Sequence, residues 1–249
     1  MGEVRLEVDG AVAVLTVSSP EVRNGLTAEM GRQMMEHCEA IDAELSIGAA
    51  VIRGDAGTFC SGADTRTWSG DVDPASDEAF GRTSAVYGAF ARVGALQVPT
   101  VAAVRGAAVG AGMNLFLAAD LRIVAAETRL LAGFLRIGIH PGGGFFTLAG
   151  RLAGREATAA MGLFSQEVSG VDAVRLGLAW EAVPDDQVEA RAAELAAVAA
   201  RDPLLARRAL ASFRAELGPP AVSWPAALEM ERGVQMWSQR RRQLRAEEG

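Results

Sequence analysis

Two short apolar runs, each followed by a turn that contains glycine, constrain the fold of this chain most strongly. "AAVIRG" begins at Ala49 and precedes "GTFCSGAD", and "TVAAV" begins at Thr100 and precedes "GAAVGAGMN". Apolar runs of this length between turn signals are typical of strands that are buried on both faces. A long polar-to-amphipathic stretch separates them. The repeated order of strand, turn and helix predicts an α/β fold.

The elements that flank these runs follow ordinary sequence signals. Near the N-terminus, "VRLEV" and "AVAVLTV" flank "DG", which predicts a β-hairpin. Thr27 is a candidate N-cap, and after it apolar residues recur at helical spacing, which predicts a core-facing helix to about residue 45 through Met30, Met34, Cys38, Ile41 and Leu45. After Pro184 the sequence turns helical, with Pro203 at the start of a second helix and "GPP" before a last charged one.

Composition excludes several kinds of chemistry. All 24 basic residues are arginines, so Schiff-base catalysis, a pyridoxal phosphate anchor and a P-loop lysine are excluded. With only two histidines, and with Cys38 and Cys60 far apart, we expect neither a metal site nor a disulfide. The net charge of −7 argues against nucleic-acid binding.

Length and hydropathy limit how the chain can be organised. Half of the 249 residues are hydrophobic, so a sizeable core is expected. No window holds eighteen uninterrupted apolar residues, and the start lacks the apolar core of a signal peptide, so we expect a cytoplasmic protein without membrane contact. We predict a ligand-binding core over residues 1–190 and a helical oligomerisation region over residues 191–249.

The two glycine-containing turns have two possible explanations. A turn that opens a helix presents unpaired backbone N–H groups, and two such turns together could polarise one carbonyl group. Close packing of strand against helix, which tolerates only small residues, explains either turn taken alone.

Taken together, four motifs point to one family. The order and spacing of "RNGLT", "GTFCSGAD", "RGAAVGAGMNLFLAAD" and "GIHPGGG" resemble the crotonase, or enoyl-CoA hydratase/isomerase, superfamily, from about Val4 to Pro184. The resemblance implies a spiral of ββα units with a C-terminal helical trimerisation region. It also implies an acyl-CoA thioester as ligand, coenzyme A as part of the substrate with no other tightly bound cofactor, and a homotrimer or homohexamer.

The resemblance further implies where the thioester binds. Its oxygen would accept hydrogen bonds from the N–H groups of Ala63 and Ala111, with Gly110 in the turn beside the ligand. Ala111 stands where the family has a glycine. The two glutamates that hydratases use as acid and base correspond to Asn114 and Phe134, and neither residue can exchange a proton with water. Asn114 can still donate a hydrogen bond to a substrate oxygen or to water.

Other residues are candidates for the remaining chemistry. His140 lies in the segment that lines the acyl pocket in relatives, and it is either a base or a buried histidine with a backbone partner. Asp64 directly follows Ala63, where capping of a helix is favoured over catalysis. Tyr87 lies in a variable segment that often covers the acyl tail and is a weak candidate.

Candidates for substrate binding complete the predicted site. Arg23 and Arg66 stand where relatives use basic residues near the nucleotide, although either can be a solvated surface arginine. Phe134 and Trp68 are candidates for shaping an apolar acyl pocket, with core packing as an equal alternative.

Two classes of function remain open from the sequence. The first is an acyl-CoA enzyme, an enoyl-CoA hydratase-like lyase by resemblance, although the missing glutamates favour decarboxylation or hydrolysis through an enolate. The second is a non-catalytic acyl-CoA binding protein or an assembly partner of a catalytic relative.

Overall fold

The computed structural model describes residues 2–64, 66 and 76–218. The strands in these ranges are β1 (Glu3–Asp9), β2 (Val12–Ser18), β3 (Ala49–Gly54), β4 (Thr100–Val104), β5 (Ala107–Val109), β6 (Leu121–Ala125), β7 (Arg129–Leu131), β8 (Val168–Ser169) and β9 (Glu181–Val183). The α-helices are α1 (Ala28–Ala43), α2 (Asp77–Gly94), α3 (Ala111–Ala118), α4 (Phe145–Gly162), α5 (Gly170–Arg175), α6 (Val188–Ala200) and α7 (Pro203–Leu217). Within the described ranges, none of these helices combines the length and the apolar character needed to cross a membrane.

The strands form two sheets. The larger has the order β1-β2-β3-β4-β6-β9, and the smaller has the order β5-β7-β8. The predicted hairpin is confirmed, because β1 and β2 pair antiparallel around the "DG" turn. From β2 to β9 the larger sheet is parallel, with Val51 opposite Val101 and Ala102 opposite Arg122. The predicted α/β class is therefore confirmed.

Both faces of the central strands β3 and β4 are buried, which explains their continuous apolar runs. Alternate residues of a strand point to opposite faces. Val51 of β3 belongs to a cluster with Val188 and Ala192 of α6, whereas its neighbour Ile52 belongs to the main core, which also includes residues of α1, α2 and α3. The predicted boundary between residues 190 and 191 lies inside α6, whose buried face is part of this sheet packing.

Helix α1 begins as predicted but ends earlier. The Thr27 hydroxyl accepts a hydrogen bond from the Met30 N–H at 3.2 Å, which confirms the N-cap. The predicted core position of Leu45 is wrong, because the helix ends at Ala43 and Leu45 is 68% exposed. The backbone leaves the helical conformation at Glu44, whose carboxylate accepts hydrogen bonds from the backbone N–H and hydroxyl of Ser46.

Helix α7 contacts the segment that follows α3, and through it the start of β4. It begins at Pro203, as predicted, with Asp202 as its N-cap. The Arg214 guanidinium lies 3.1 Å from the carboxylate of Asp120, which also accepts hydrogen bonds from Thr100 at the start of β4. The predicted last helix follows Pro220 and lies outside the described residues.

Candidate functional site

The two glycine-containing turns lie side by side in the structure. The Cys60 N–H donates to the Ala107 carbonyl at 3.0 Å, and the Val109 N–H donates back to the Cys60 carbonyl at 3.0 Å. A third segment joins them, because the Gly110 N–H donates to the Leu131 carbonyl at 3.0 Å. Burial raises the pKa of the Cys60 thiol to about 12, so this residue stays a neutral packing group between the turns.

Close backbone packing accounts for two of the glycines. A Cβ added to Gly112 would lie 2.3 Å from the Cys60 carbonyl oxygen, so α3 can approach the first turn only without a side chain there. Gly62 has a φ of 108° and a Cβ position only 3.0 Å from the Val109 carbonyl oxygen and 3.8 Å from the Ala111 nitrogen. The glycines therefore bring the peptide group before Ala63 next to the start of α3.

The backbone N–H groups of Ala63 and Ala111 lie where these two turns meet. The hydrogen bonds on either side of Ala63 run from Leu26 N–H to the Gly62 carbonyl and from Asp64 N–H to the Leu26 carbonyl, each 2.8 Å long. Ala111 is the first residue of α3, where an N–H has no partner within the helix. Within the described ranges neither N–H donates to another group, and both residues are half-buried.

Asp64 forms an ion pair with Arg66. One carboxylate oxygen accepts from the Arg66 backbone N–H at 3.1 Å and from Nε at 3.0 Å, and the other accepts from Nη2 at 2.9 Å. The hydrogen bond to the Arg66 side chain lowers the pKa of Asp64, so its carboxyl group is ionised at neutral pH and is a weak base. The capping role of Asp64 stays a prediction. Residues 65 and 67–75 lie outside the described residues, and the first α-helix described beyond this turn is α2, at Asp77.

Asn114 lies one helical turn below Ala111 and is 1% exposed. Its Nδ2 donates to the Gly142 carbonyl at 2.9 Å, whereas Oδ1 is buried and accepts no hydrogen bond within the described part of the chain. A Cβ on Gly142 would lie 2.0 Å from the Tyr87 hydroxyl, and one on Gly143 would lie 2.2 Å from Asn114 Nδ2. Asn114 and Tyr87 therefore meet at the glycine run that precedes α4.

The rings of Phe134, Phe145, Phe146 and His140 contact one another in that order. The two ends of this row differ in exposure to solvent. Phe134 is 8% exposed and belongs to the main core, with its ring centroid 5.9 Å from that of Phe145. The His140 ring lies edge-on to Phe146 at 6.3 Å, with Nδ1 2.6 Å from the Pro141 carbonyl oxygen. His140 is exposed. The alternative of a buried histidine with a backbone partner is therefore wrong about burial, although the backbone partner is present. The role of His140 as a base stays a prediction.

A 330 Å³ cavity beside the two turns has charged and apolar walls. Ser61, Val109 and Leu131 contribute to its lining, together with the exposed Arg23 and with Arg129. Arg66 is exposed as well but is held against Asp64. Of the other predicted binding residues, Trp68 lies outside the described residues, and Gly110 is the N-cap of α3, with φ 53°.

Comparison with known proteins identifies the family. The model of the enoyl-CoA hydratase/isomerase family matches residues 7–246. This chain belongs to that family. It is 40% identical over 219 residues to a Mycobacterium tuberculosis protein named "Probable enoyl-CoA hydratase EchA14", which covers 87% of this chain and 83% of that relative. A "Probable enoyl-CoA hydratase" of Rhodobacter capsulatus is 34% identical over 237 residues, 93% of this chain and 88% of its own.

The fold of an enoyl-CoA hydratase/isomerase is also found among solved structures. The crystal structure of an enoyl-CoA hydratase from Polaromonas sp. JS666 superposes with a TM-score of 0.85 at 24% identity, over 94% of this chain and 91% of that one. At this identity the likeness shows the fold alone. The predicted crotonase-like fold is therefore confirmed.

The sequence did not predict which groups contact Asn114 and the glycine run beside it. Neither Phe90 nor the Gly142 carbonyl was singled out, yet a Cβ on Gly143 would lie 2.5 Å from the Phe90 ring. The run Gly142–Gly144 was the available signal, because Gly143 and Gly144 have φ of 66° and 78°. What that run contacts, however, depends on the tertiary fold.

Proposed function

We propose that this chain processes an acyl-CoA thioester, whose carbonyl oxygen accepts hydrogen bonds from the N–H groups of Ala63 and Ala111. The observation that carries the proposal is the pair of N–H groups on adjoining turns, neither of which donates elsewhere in the described ranges. Two donors fixed before the ligand arrives stabilise negative charge on that oxygen, and removal of one such donor costs about 3 kcal/mol of transition-state stabilisation in other enzymes.

Arginine side chains supply the charge that the coenzyme A phosphates need. The chain carries a net charge of −7, so a polyanionic ligand requires local cations. Arg23 is exposed on the wall of the cavity that also includes Ser61 and Val109, next to the two turns. Arg66 follows Ala63 by three residues and reaches solvent while paired with Asp64. We assign both to the nucleotide end of the ligand.

The proposed chemistry uses a polarised thioester without the family's two glutamates. Asn114 is an amide whose nitrogen is already bound to the Gly142 carbonyl, and Phe134 packs in the core. Decarboxylation fits such a site, because breaking the C–C bond to a carboxylate releases CO₂ and leaves its electron pair in an enolate, whose oxygen the two N–H groups hold. Water then returns a proton to the α-carbon. Hydrolysis through an enolate is the other reaction of this type.

Non-catalytic binding of acyl-CoA is the second candidate function. The same replacements at Asn114 and Phe134 favour it, because the binding groups remain while the proton-transfer groups do not. A panel of acyl-CoA thioesters, including malonyl and methylmalonyl derivatives, distinguishes the two. Turnover that is abolished by His140→Ala supports an enzyme, whereas thioester binding without turnover across the panel supports the second candidate.

A crystal structure with a bound acyl-CoA tests the site directly. We expect the thioester oxygen within hydrogen-bond distance of the nitrogens of Ala63 and Ala111, because these residues lie on adjoining turns and neither N–H donates elsewhere in the described ranges. An oxygen more than about 3.5 Å from both nitrogens would show that the thioester binds elsewhere.

We also propose that the chain assembles as a trimer or a dimer of trimers. Large apolar side chains are exposed in the single chain, with Phe164 at 71%, Trp180 at 64%, Phe213 at 50% and Leu217 at 69%. Apolar surface of this kind is usually covered in an assembly. Light scattering coupled to size exclusion is expected to give three or six times the mass of 26.0 kDa, and a monomer at micromolar concentration would contradict this prediction.

A further inference from the structure

We propose that Asn24 is a positioning residue, which sets the direction of the Ala63 N–H group by holding residues 22–26 in place beside the first turn. The inference rests on the proposed function, because that function assigns the Ala63 N–H to the thioester oxygen. Asn24 is 0% exposed, and the proposed site does not include it. Its effect on the ligand is therefore exerted through the first turn.

A short ladder of hydrogen bonds joins residues 22–26 to the first turn on both sides of Ala63. Before Ala63, the Ser61 N–H donates to the Arg23 carbonyl at 3.0 Å. The N–H and the carbonyl group of Leu26 bind the residues directly before and after Ala63, each at 2.8 Å. Leu26 and Ala63 lie opposite each other in this ladder. The position of the Ala63 backbone therefore depends on the position of residues 22–26.

The peptide group between Gly62 and Ala63 relates this ladder to the direction of the N–H. In a trans peptide the C=O and the N–H lie in one plane and point in opposite directions. The Gly62 carbonyl accepts a hydrogen bond from the Leu26 N–H, so the Ala63 N–H points away from Leu26. Displacement of residues 22–26 would therefore rotate the N–H group that we assign to the thioester oxygen.

The side-chain amide of Asn24 fastens residues 22–26 to the loop that follows β3. Its Nδ2 donates to the carbonyl oxygens of Asp55 and Thr58, at 2.8 and 2.5 Å. Its Oδ1 accepts from the Ser19 N–H at 2.9 Å. Both N–H groups and the oxygen of the amide are thus used, and the two carbonyl partners allow only one orientation of the amide.

The backbone of this segment has a conformation that most residues avoid. Arg23 and Asn24 have φ of 52° and 61°, both in the left-handed region. Asparagine tolerates this region better than most residues, and glycine tolerates it best. The Asn24 N–H also donates to the Ser19 carbonyl at 2.9 Å. The main chain and the side chain of Asn24 therefore stabilise the same turn, and an experiment must separate them.

Two substitutions separate the amide of Asn24 from its backbone conformation. Asn24→Asp keeps the size of the side chain but places an acceptor where Nδ2 donates to two carbonyl oxygens. Asn24→Gly favours the left-handed backbone but has no side chain. Both variants lose the two donated hydrogen bonds, so both should displace residues 22–26 and misdirect the Ala63 N–H.

Infrared difference spectra of the full chain with bound butyryl-CoA, carrying carbon-13 at the thioester carbonyl, measure the polarisation of that carbonyl. Hydrogen bonds to the oxygen lower its stretching frequency, and the label identifies the band. We expect a lowering in the wild-type chain relative to free butyryl-CoA, and less than about half of it in Asn24→Asp and Asn24→Gly. The dissociation constant, measured by calorimetry, should rise about tenfold at most, as for loss of one hydrogen bond.

Thr158→Val is the matched control. Thr158 is 7% exposed, and its hydroxyl donates to the Gly154 carbonyl at 2.7 Å within α4. This variant loses a buried side-chain hydrogen bond outside both turns, so it should keep the wild-type band even where it lowers stability. An equal loss of the lowering in Thr158→Val would show that general destabilisation moves the band, and it would overturn the inference.

The outcomes distinguish this inference from the proposed function. A lowering in the wild-type chain that persists in either Asn24 variant would overturn the inference and leave the proposed function intact. If Asn24→Asp does not fold, Asn24→Gly decides alone. Butyryl-CoA that binds the wild-type chain without any lowering, or that does not bind, would overturn the proposed function and, with it, this inference.

Discussion

The double variant Asn114→Glu/Phe134→Glu is expected to hydrate crotonyl-CoA at least about 10²-fold faster than the wild-type chain, which should hydrate it poorly or not at all. Hydration needs one group to activate water and one to protonate the α-carbon, and each transfer contributes roughly 10²–10⁴-fold. The wild-type chain has an amide and a phenyl ring at these two positions. Loss of the crotonyl-CoA absorbance at fixed enzyme concentration measures the rate.

The two carboxylates should act as a unit, so each single variant is expected to gain much less than the pair. The matched control is Asn114→Gln/Phe134→Gln, whose side chains have the same length as glutamate but cannot act as a general acid or base, and it should gain nothing. Robust hydration by the wild-type chain would contradict the prediction. It would also indicate that His140 is the base, since this residue is exposed beside Phe146.

Of the two positions, Phe134 is the one at which a glutamate is harder to accommodate. Phe134 is 8% exposed and packs on Phe145, so a glutamate there enters an apolar environment that raises the pKa of a carboxyl group. A raised pKa suits a general acid, but burial of the charge also lowers stability. Circular dichroism of each variant must therefore precede the kinetics, and activity is compared only among variants that fold.

The sequence predicted those parts of the fold that depend on local pattern. The apolar runs of β3 and β4, the "DG" hairpin and the Thr27 cap all follow from residues close in sequence, and all are confirmed. Leu45 was placed wrongly, because the side chain of Glu44 binds the Ser46 backbone and hydroxyl, and apolar periodicity carries no information about such a local polar contact.

Much of the site depends on contacts between distant segments. The sequence motifs predicted Ala63, Ala111 and Asn114 as site residues. The side chain of Asn114, however, donates its hydrogen bond to a carbonyl 28 residues later in the chain. The exposure of His140 and the burial of Phe134 likewise depend on how the segment before α4 packs. Such facts follow from the folded chain and have no periodic signal in the sequence.

Replacement of Gly112 by alanine is expected to force α3 away from the first turn. The added Cβ would lie 2.3 Å from the carbonyl oxygen of Cys60 and 2.9 Å from its Cβ. Because the first contact is with backbone, α3 and the first turn must move apart. We expect a loss of about 1–3 kcal/mol in the free energy of unfolding, measured by urea denaturation, together with loss of acyl-CoA binding as the two N–H groups separate.

Gly81→Ala is the matched control for this prediction. Gly81 lies within α2, a Cβ there has nothing within 4 Å, and its φ lies outside the left-handed region. Alanine is favoured over glycine in a helix interior by roughly 1 kcal/mol, so Gly81→Ala should stabilise the chain or leave it unchanged. The same propensity acts in the opposite direction at Gly112, so any net destabilisation there is a lower limit on the cost of the collision with Cys60. If both variants were equally stable and both bound acyl-CoA, the close approach of α3 to the first turn would not be needed to form the site.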